Sequence, residues 1–402
     1  MTAKARQLYE RAATARDIAV AAACAVCVWV LFVRKVHPVD FMVFLHGARA
    51  VSHGVSPYVG PSSPALWSGH AFVYPYFTAW LFVPFNGLSI SAAGLIYYAL
   101  SVVAVLLAVR LVTGQTAGIV PLVLALTAEP VVRGFQLGTL NVWLLLGLAV
   151  AWRYRDRVVA VTLALTAVIV AKLFLLPMIA WLLVTRRIKP AVATVALSAA
   201  VIVVGCEVAG LSVSTFQRML SNLSAHEGPH SSSITAALSH LDASGLALTI
   251  GPMLFAAAIV AFGWARYRSS GDEAIVFCAC VVASVVASPI VWSHYFTLLV
   301  IIPLVLGWRW QYQLLTLAAT WLMGKPDGVA ALSVLHPFPG SGWLWAGLAA
   351  VGAVIWHRHR RRPPAGHAGA VDDATLPANA GLCGQCVHAL LRPTNRGTVY
   401  LR

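Results

Sequence analysis

The sequence predicts an all-α polytopic membrane protein, a bundle of about 12 transmembrane helices with a large first external loop that carries interfacial helices. Of its 402 residues, 60% are hydrophobic and 10% are charged, and the mean hydropathy is +0.81. Soluble domains do not have this composition. Apolar runs long enough to cross roughly 30 Å of hydrocarbon recur from Ile18 to Trp356, which indicates many spans.

The basic residues lie in short clusters between the apolar runs, although the net charge of +15 could by itself suggest a nucleic-acid partner. Such spacing is typical of the positive-inside rule, under which every second loop faces the cytoplasm. It therefore predicts contact with membrane lipids and no nucleic-acid partner. The clusters are residues 4–16, Arg110, Arg153–Arg157, Arg186–Lys189, Arg266–Arg268, Arg309 and His357–Arg362.

Placing these clusters in the cytoplasm puts both termini inside and divides the chain into three parts. Residues 1–17 form a cytoplasmic N-terminus, residues 18–362 the transmembrane domain, and residues 363–402 a disordered cytoplasmic tail. The expected spans are Ile18–Val36, Ser91–Arg110, Thr116–Val131, Leu137–Trp152, Val158–Ala171, Leu173–Thr185, Pro190–Gly210, Leu246–Trp264, Ala274–Ser288, Ser293–Gly307, Gln311–Met323 and Trp343–His357. Phe72–Leu88 is expected to lie in the outer interface, because a full crossing there would place Arg110 outside.

Almost every polar residue that is neither a basic anchor nor in a tail falls at the external end of the predicted spans or in two external loops, Val39–Leu88 and Leu211–Gly245. An ionisable residue inside a membrane is costly and usually faces a cavity or a partner. Binding or chemistry is therefore expected on the external face of the plasma membrane. The residues are Asp40, His46, His53, Tyr74, Glu129, Arg133, Gln136, Asn141, Lys172, His226, His230, His294, Lys325, Asp327 and His336.

Five motifs follow one another on this face: "DFMVF" with Asp40, "FVYPYFTAWLFVPF" with Tyr74, "AEPVVRGFQLGTLNVWLLL" with Glu129 and Asn141, "AKLFLLP" with Lys172, and "SPIVWSHYF" with His294. Together they resemble the polyprenol-phosphate-mannose-dependent α-1,2-mannosyltransferases of actinobacteria, a group of the GT-C superfamily. The chain departs from the family pattern at Tyr76, Thr139 and Tyr295, which leaves the acceptor and the sugar open.

The resemblance implies a GT-C-like bundle that moves a mannosyl residue from polyprenyl-phosphate-mannose to a glycolipid or lipoglycan acceptor on the external face. It also implies inversion at the sugar, an α-1,2 linkage and a place in cell-envelope glycolipid or lipoglycan synthesis. On this expectation Asp40 is the general base, and Lys172 and His294 bind the departing phosphate. The residues expected to shape the pocket are Tyr74, Glu129, Arg133 and Asn141, with Glu129 and Arg133 as an ion pair.

Each of these residues also has a structural interpretation. Asp40 could cap the helix that follows Pro38, and His294 could be a buried imidazole bonded to a backbone carbonyl. Lys172 could extend towards the interface on its long stem. However, Lys172 lies in an apolar run, Val158–Leu183, with basic flanks on both sides. Both flanks can be cytoplasmic only if the run turns back near Lys172, which would place the ammonium at the outer end of a hairpin.

No metal or cofactor is expected from the sequence. The stretch "HEGPH" from His226 to His230 resembles a zinc motif only superficially, because Pro229 breaks the helix and a third ligand is missing. The seven cysteines do not form a disulfide framework, and the Cys383–Cys386 pair has no second pair for zinc. Neither a Walker A motif nor a dinucleotide-binding glycine pattern is present.

The main alternative is a transporter or flippase for a lipid-linked substrate, since a polar cavity among many helices also suits alternating access. Transporters often contain two similar halves, and the sequence shows no internal repeat. A non-catalytic membrane scaffold is a third possibility, but it would leave the one-sided group of Asp40, Lys172 and His294 unexplained.

Overall fold

The computed structural model describes residues 3–36, 38–114 and 118–323, and every regular element in that part of the chain is helical. The predicted span Trp343–His357 and the tail from residue 363 lie outside the described residues. The α-helices are α1 Ala3–Val28, α2 Val39–Ser52, α3 Phe77–Trp80, α4 Ile90–Thr113, α5 Ile119–Thr127, α6 Glu129–Leu137, α7 Asn141–Arg153, α8 Val158–Ala171, α9 Met178–Val184, α10 Ile188–Val208, α11 Val213–Glu227, α12 Ile234–His240, α13 Leu246–Ser270, α14 Glu273–Ala287, α15 Ile301–Val305 and α16 Trp310–Met323.

Four described helices are long and apolar enough to cross a membrane alone, which confirms the multi-span class. They comprise Ala12–Val33, which includes a π-helical end at Trp29–Val33, together with α4, α10 and α13. The pair α5 and α6 would make a fifth crossing if its 48° bend is counted within one span. The remaining apolar helices have 10–17 residues, so the count of about 12 crossings stays a prediction.

The expected span Thr116–Val131 is not one continuous helix, because the helix breaks before its end. α5 stops at Thr127, Ala128 is extended (ψ 137°), and α6 restarts at Glu129 with Pro130 in its first turn. Proline has no N–H to donate and its ring clashes with the carbonyl four residues earlier, so it is tolerated at the start of a helix and not in its interior.

The turn expected at Lys172 is confirmed by an ion pair between the two flanks of the run. Arg187, after α9, bonds from Nη2 to Asp156 Oδ1 at 2.7 Å, and Asp156 precedes α8. Arg187 also pairs with Glu273, which Arg155 Nε contacts at 3.3 Å. The beginning of α8 and the end of α9 therefore lie at one end of the bundle, and Lys172 lies at the other. We call Arg155, Asp156, Arg187 and Glu273 the ion-pair cluster.

The segment Phe72–Leu88 contains only short helices, α3 and a 3₁₀ turn at Val83–Phe85, so it does not cross the membrane as one helix. Its aromatic rings pack on α2 and α4. Phe82 stacks on Phe44 of α2 with centroids 4.5 Å apart, and Phe41 of α2 stacks on Tyr97 of α4 at 4.9 Å. This aromatic packing holds the beginning of α2 against the bundle.

The predicted second loop, Leu211–Gly245, is largely helical and rests on the first loop. α11 buries Phe216 and Met219, and Tyr58 of the first loop meets Phe216 edge-on at 5.6 Å. Asn222 donates from Nδ2 to the Pro61 carbonyl at 3.0 Å. The two predicted loops therefore form one layer.

Candidate active site

The carboxylate of Asp40 is carried on the first turn of α2, where the helix begins after Pro38. Pro38 occupies the N-cap position, and the helix has no side-chain cap bond, so the helix-cap interpretation of Asp40 is wrong. Phe41, the next residue, is completely buried and packs against the left-handed turn at Gly138 between α6 and α7. Asp40 is thereby fixed beside the α6–α7 turn.

Asp40 is half-buried and forms no hydrogen bond with any residue that the structure describes. Burial raises the pKa of this carboxyl above its ordinary value, while the charges of Lys172 and Arg133 oppose that rise. A carboxylate with a raised pKa is a stronger base than an exposed aspartate. The side chain that was predicted to be the general base is therefore partly accessible, without a hydrogen bond to the described residues, and close to two cations.

Lys172 is the residue at which α8 ends, in extended backbone (φ −149°, ψ 109°), and its side chain is 6% exposed. Its Nζ has no hydrogen-bond partner among the described residues. Instead, it lies 3.8 Å from the centroid of the Tyr295 ring and 5.7 Å from that of Tyr74. The ammonium is enclosed by aromatic rings inside the protein, so the interpretation of a lysine extending to the interface is wrong.

His294 is the second residue of the 3₁₀ segment Ser293–Val300 and is 5% exposed. Asn141, at the start of α7, donates from Nδ2 to the backbone carbonyl of His294 at 2.8 Å and so fixes the position of this segment. The same two cations that act on Asp40 also act electrostatically on His294. The structure therefore brings the predicted residues Asp40, Arg133, Lys172 and His294 together.

The α6–α7 turn is held by a chain of bonds that starts at Tyr97. The Tyr97 hydroxyl donates to the Thr139 carbonyl at 2.8 Å, and Thr139 Oγ1 accepts from the Asn141 backbone N–H at 3.3 Å. Thr139 stands where the family pattern has glutamine, yet it still orients Asn141. The Asn141 Oδ1 is buried and has no hydrogen-bond partner among the described residues.

Arg133 is oriented by Gln136, which was predicted to lie on the external face but not to shape the pocket. Arg133 donates from Nη1 to Gln136 Oε1 at 3.2 Å, and Gln136 Nε2 donates to the Phe32 carbonyl at 3.0 Å. Glu129 is buried at 3% exposure, and its backbone N–H donates to Thr320 Oγ1. The ion pair expected between Glu129 and Arg133 stays a prediction.

Tyr74 lies next to Asp40 and the Lys172 ammonium. Burial, together with the negative charge of Asp40, raises the pKa of Tyr74 well above its ordinary value. Its hydroxyl therefore stays protonated at neutral pH and can donate a hydrogen bond. We call Asp40, Tyr74, Arg133, Lys172 and His294 the site cluster.

Tyr295 is a site residue that sequence reasoning missed, because it stood out only as a departure from the family pattern. Its ring stacks on Phe174 with centroids 5.1 Å apart, and the Lys172 ammonium lies over it. Lys172 and Tyr295 are far apart in the sequence, and no local pattern joins them.

The residues of "HEGPH" lie in the layer formed by the two loops. The His226 ring stacks on Trp67 with centroids 4.6 Å apart, and His226 Nδ1 lies 3.1 Å from Glu227 Oε1. α11 ends at Glu227, before Pro229. Among the described residues, no group of three or more His, Cys, Asp and Glu side chains could hold a metal ion.

The site cluster combines one accessible carboxylate with a buried ammonium that has unused N–H donors. A carboxylate can accept a proton from an attacking hydroxyl, and an ammonium with a neighbouring imidazole can bind an anionic leaving group. This pairing suits the transfer of a group from a phosphate to a hydroxyl.

A family model described as glycosyltransferase family 87 matches residues 72–289 of the 402, more than half of the chain. The match includes Tyr74, Arg133 and Lys172, whereas Asp40 precedes it and His294 follows it. No curated protein and no solved structure matches the chain.

Proposed function

The chain belongs to glycosyltransferase family 87, and we propose that it transfers a mannosyl residue from polyprenyl-phosphate-mannose to a lipid-linked glycan. Membership of the family makes it a membrane glycosyltransferase; the donor, the acceptor and the α-1,2 linkage are our proposal. Its place would be in cell-envelope glycolipid or lipoglycan synthesis, on the external face of the plasma membrane.

The observation that supports this proposal is the Lys172 ammonium, which is buried without a hydrogen-bond partner among the described residues. A buried charge is costly unless it meets a counter-charge. The half-buried Asp40 acts on it electrostatically, but forms no hydrogen bond with any described residue. A phosphate from the donor would supply the missing acceptor oxygens.

In the proposed reaction, the acceptor hydroxyl oxygen attacks the anomeric carbon while the bond from that carbon to the phosphate oxygen breaks. The hydroxyl proton passes to Asp40, and the bonding electrons leave with the phosphate, whose charge Lys172 and His294 offset. Attack opposite the leaving phosphate inverts the anomeric centre, so a β-linked donor gives an α-linked product. Tyr74 can donate a hydrogen bond beside the carboxylate.

The placement of the ion-pair cluster supports an external site. The cluster joins the basic flanks Arg153–Arg157 and Arg186–Lys189, and the positive-inside rule places such loops in the cytoplasm. Lys172 lies at the opposite end of α8. On this reasoning the donor is consumed at the outer side.

A transfer assay in proteoliposomes with radiolabelled polyprenyl-phosphate-mannose and a membrane-lipid acceptor extract tests the proposal. A charge-assisted bond is worth about 1.5–3 kcal/mol, so Lys172→Met should reduce donor use by about ten- to a hundredfold. Lys189→Met, which removes an exposed lysine at the other end of the bundle, should leave it unchanged. Full activity of both Lys172→Met and His294→Ala would place the phosphate elsewhere. Label transfer from polyprenyl-phosphate-glucose in place of the mannose donor would overturn the sugar assignment.

A further inference from the structure

We propose that Tyr295 is a positioning residue for Lys172: its ring holds the ammonium where it receives the donor's phosphate. The inference rests on the proposed function and deepens it. The carrying observation is the 3.8 Å distance between Lys172 Nζ and the centroid of the Tyr295 ring. This is well within the range of a cation–π interaction.

A neutral ring is a suitable partner for a charge that has to be used later. A carboxylate bonded to Lys172 would neutralise it and compete with phosphate, whereas a ring attracts the ammonium and occupies none of its N–H donors. The Nζ of Lys172 accordingly has no hydrogen-bond partner among the described residues. Its donors stay available for the oxygens of a phosphate.

The ring itself packs against two other rings. It stacks nearly parallel on Phe174, with an interplanar angle of 17°, and Phe174 lies in the 3₁₀ turn that directly follows Lys172. The His294 ring also meets it edge-on, with centroids 5.0 Å apart. Tyr295 therefore links the two groups that are proposed to bind the phosphate.

Tyr74 supplies a second ring, but its centroid is farther from the ammonium, at 5.7 Å. The Asp40 charge also acts on the Tyr74 hydroxyl, so a change at Tyr74 would alter the surroundings of the proposed base as well. Tyr295 is therefore the residue at which the support of Lys172 can be tested separately from the proton transfer.

The test measures the dissociation constants of polyprenyl phosphate and of polyprenol, which lacks the phosphate, for the purified full-length chain in detergent. Loss of one cation–π contact corresponds to about threefold to thirtyfold in affinity. Tyr295→Leu should weaken the binding of polyprenyl phosphate by that factor and leave the binding of polyprenol unchanged. Tyr295→Phe keeps the ring and should bind both as the unchanged chain does. If Tyr295→Leu does not fold, Tyr295→Met replaces it in the same measurement.

A double-mutant cycle separates this inference from the proposed phosphate site. In a Lys172→Met background, Tyr295→Leu should not weaken the binding of polyprenyl phosphate any further, because the ring then has no ammonium to hold. Tyr154→Leu is the matched control, since it removes a ring 5.4 Å from the Arg157 guanidinium at the other end of the bundle. It should change neither constant.

Three results would overturn the inference: equal weakening of both ligands by Tyr295→Leu, equal losses in the Phe and Leu variants, or additive losses in the cycle. The first would indicate a purely structural ring, and the second a role of the hydroxyl. If Lys172→Met binds polyprenyl phosphate normally, the proposed phosphate site fails, whatever Tyr295 does.

Discussion

Gly138 and Phe41 are in such close contact that a Cβ added at Gly138 would lie 2.6 Å from the Phe41 Cβ. Gly138 also has a φ of +68°, in the left-handed region that favours glycine. The α6–α7 turn and the start of α2 therefore meet without a side chain between them. Asp40 precedes Phe41 and takes its position from this contact.

Gly138→Ala should lower stability and displace Asp40, because the new methyl group must push α2 away. Overpacking costs about 1–3 kcal/mol, in addition to roughly 1 kcal/mol for a left-handed alanine. Gly54→Ala is the matched control, with the same φ and nothing within 4 Å of the added Cβ. Thermal unfolding in detergent should show a larger drop in melting temperature for Gly138→Ala. Equal drops would show that the contact with Phe41 is unimportant.

Asp40→Asn should reduce turnover by about 10²- to 10⁴-fold, because the amide keeps the shape of the side chain but cannot accept the acceptor's proton. The melting temperature should not change, since Asp40 makes no hydrogen bond within the described part of the chain. Asp242→Asn, at an exposed position, is the control and should be fully active. An Asp40→Asn protein that transfers sugar at the normal rate would refute the base assignment.

In Lys172→Met, the acidic limb of the pH–rate profile should shift to higher pH. As the proposed base, Asp40 would work only when ionised, so activity should fall as the pH drops through its pKa. Burial raises that pKa and the Lys172 charge lowers it, so removing the charge raises the pKa further. kcat/KM measured from acidic to neutral pH on the residual activity should show the shift, with Lys189→Met as the unshifted control. A shift to lower pH would contradict the arrangement.

The orientation of the bundle can be tested by labelling single cysteines with an impermeant thiol reagent in intact cells, on a cysteine-free background. A cysteine in place of Asp156, 78% exposed in the ion-pair cluster, should react only after permeabilisation. A cysteine in place of Ser214, on the exposed face of α11, should react at once. External labelling at position 156 would invert the assignment and place Lys172 on the cytoplasmic side.

The sequence predicted the helices where polar residues or glycines mark their ends. α8 runs from Val158 to Ala171 as expected, between Arg157 and Lys172, and the turn at Lys172 followed from the basic flanks. Charge placement follows physical rules that can be applied to a sequence without a structure.

The sequence could not predict features that depend on tertiary packing. The helix break at Ala128 results from Pro130, whose effect depends on whether it falls in a helix interior or at a helix start. The contact of Lys172 with Tyr295 joins residues from separate elements. The anchoring of Arg133 by Gln136 depends on the Phe32 carbonyl at the end of the first span. Such pairings become visible only when the elements are assembled.

The length of α8 bears on the depth at which the proposed reaction would take place. Its 14 residues, at about 1.5 Å each, make it roughly 21 Å long, against a hydrocarbon core of roughly 30 Å. If Arg157 lies at one surface, as the positive-inside rule places it, and α8 runs straight across, Lys172 lies roughly 9 Å below the opposite one. The phosphate of the proposed lipid donor would then have to sink beneath the headgroups of its neighbours to reach the ammonium, and the spent lipid would have to rise again before it could diffuse away.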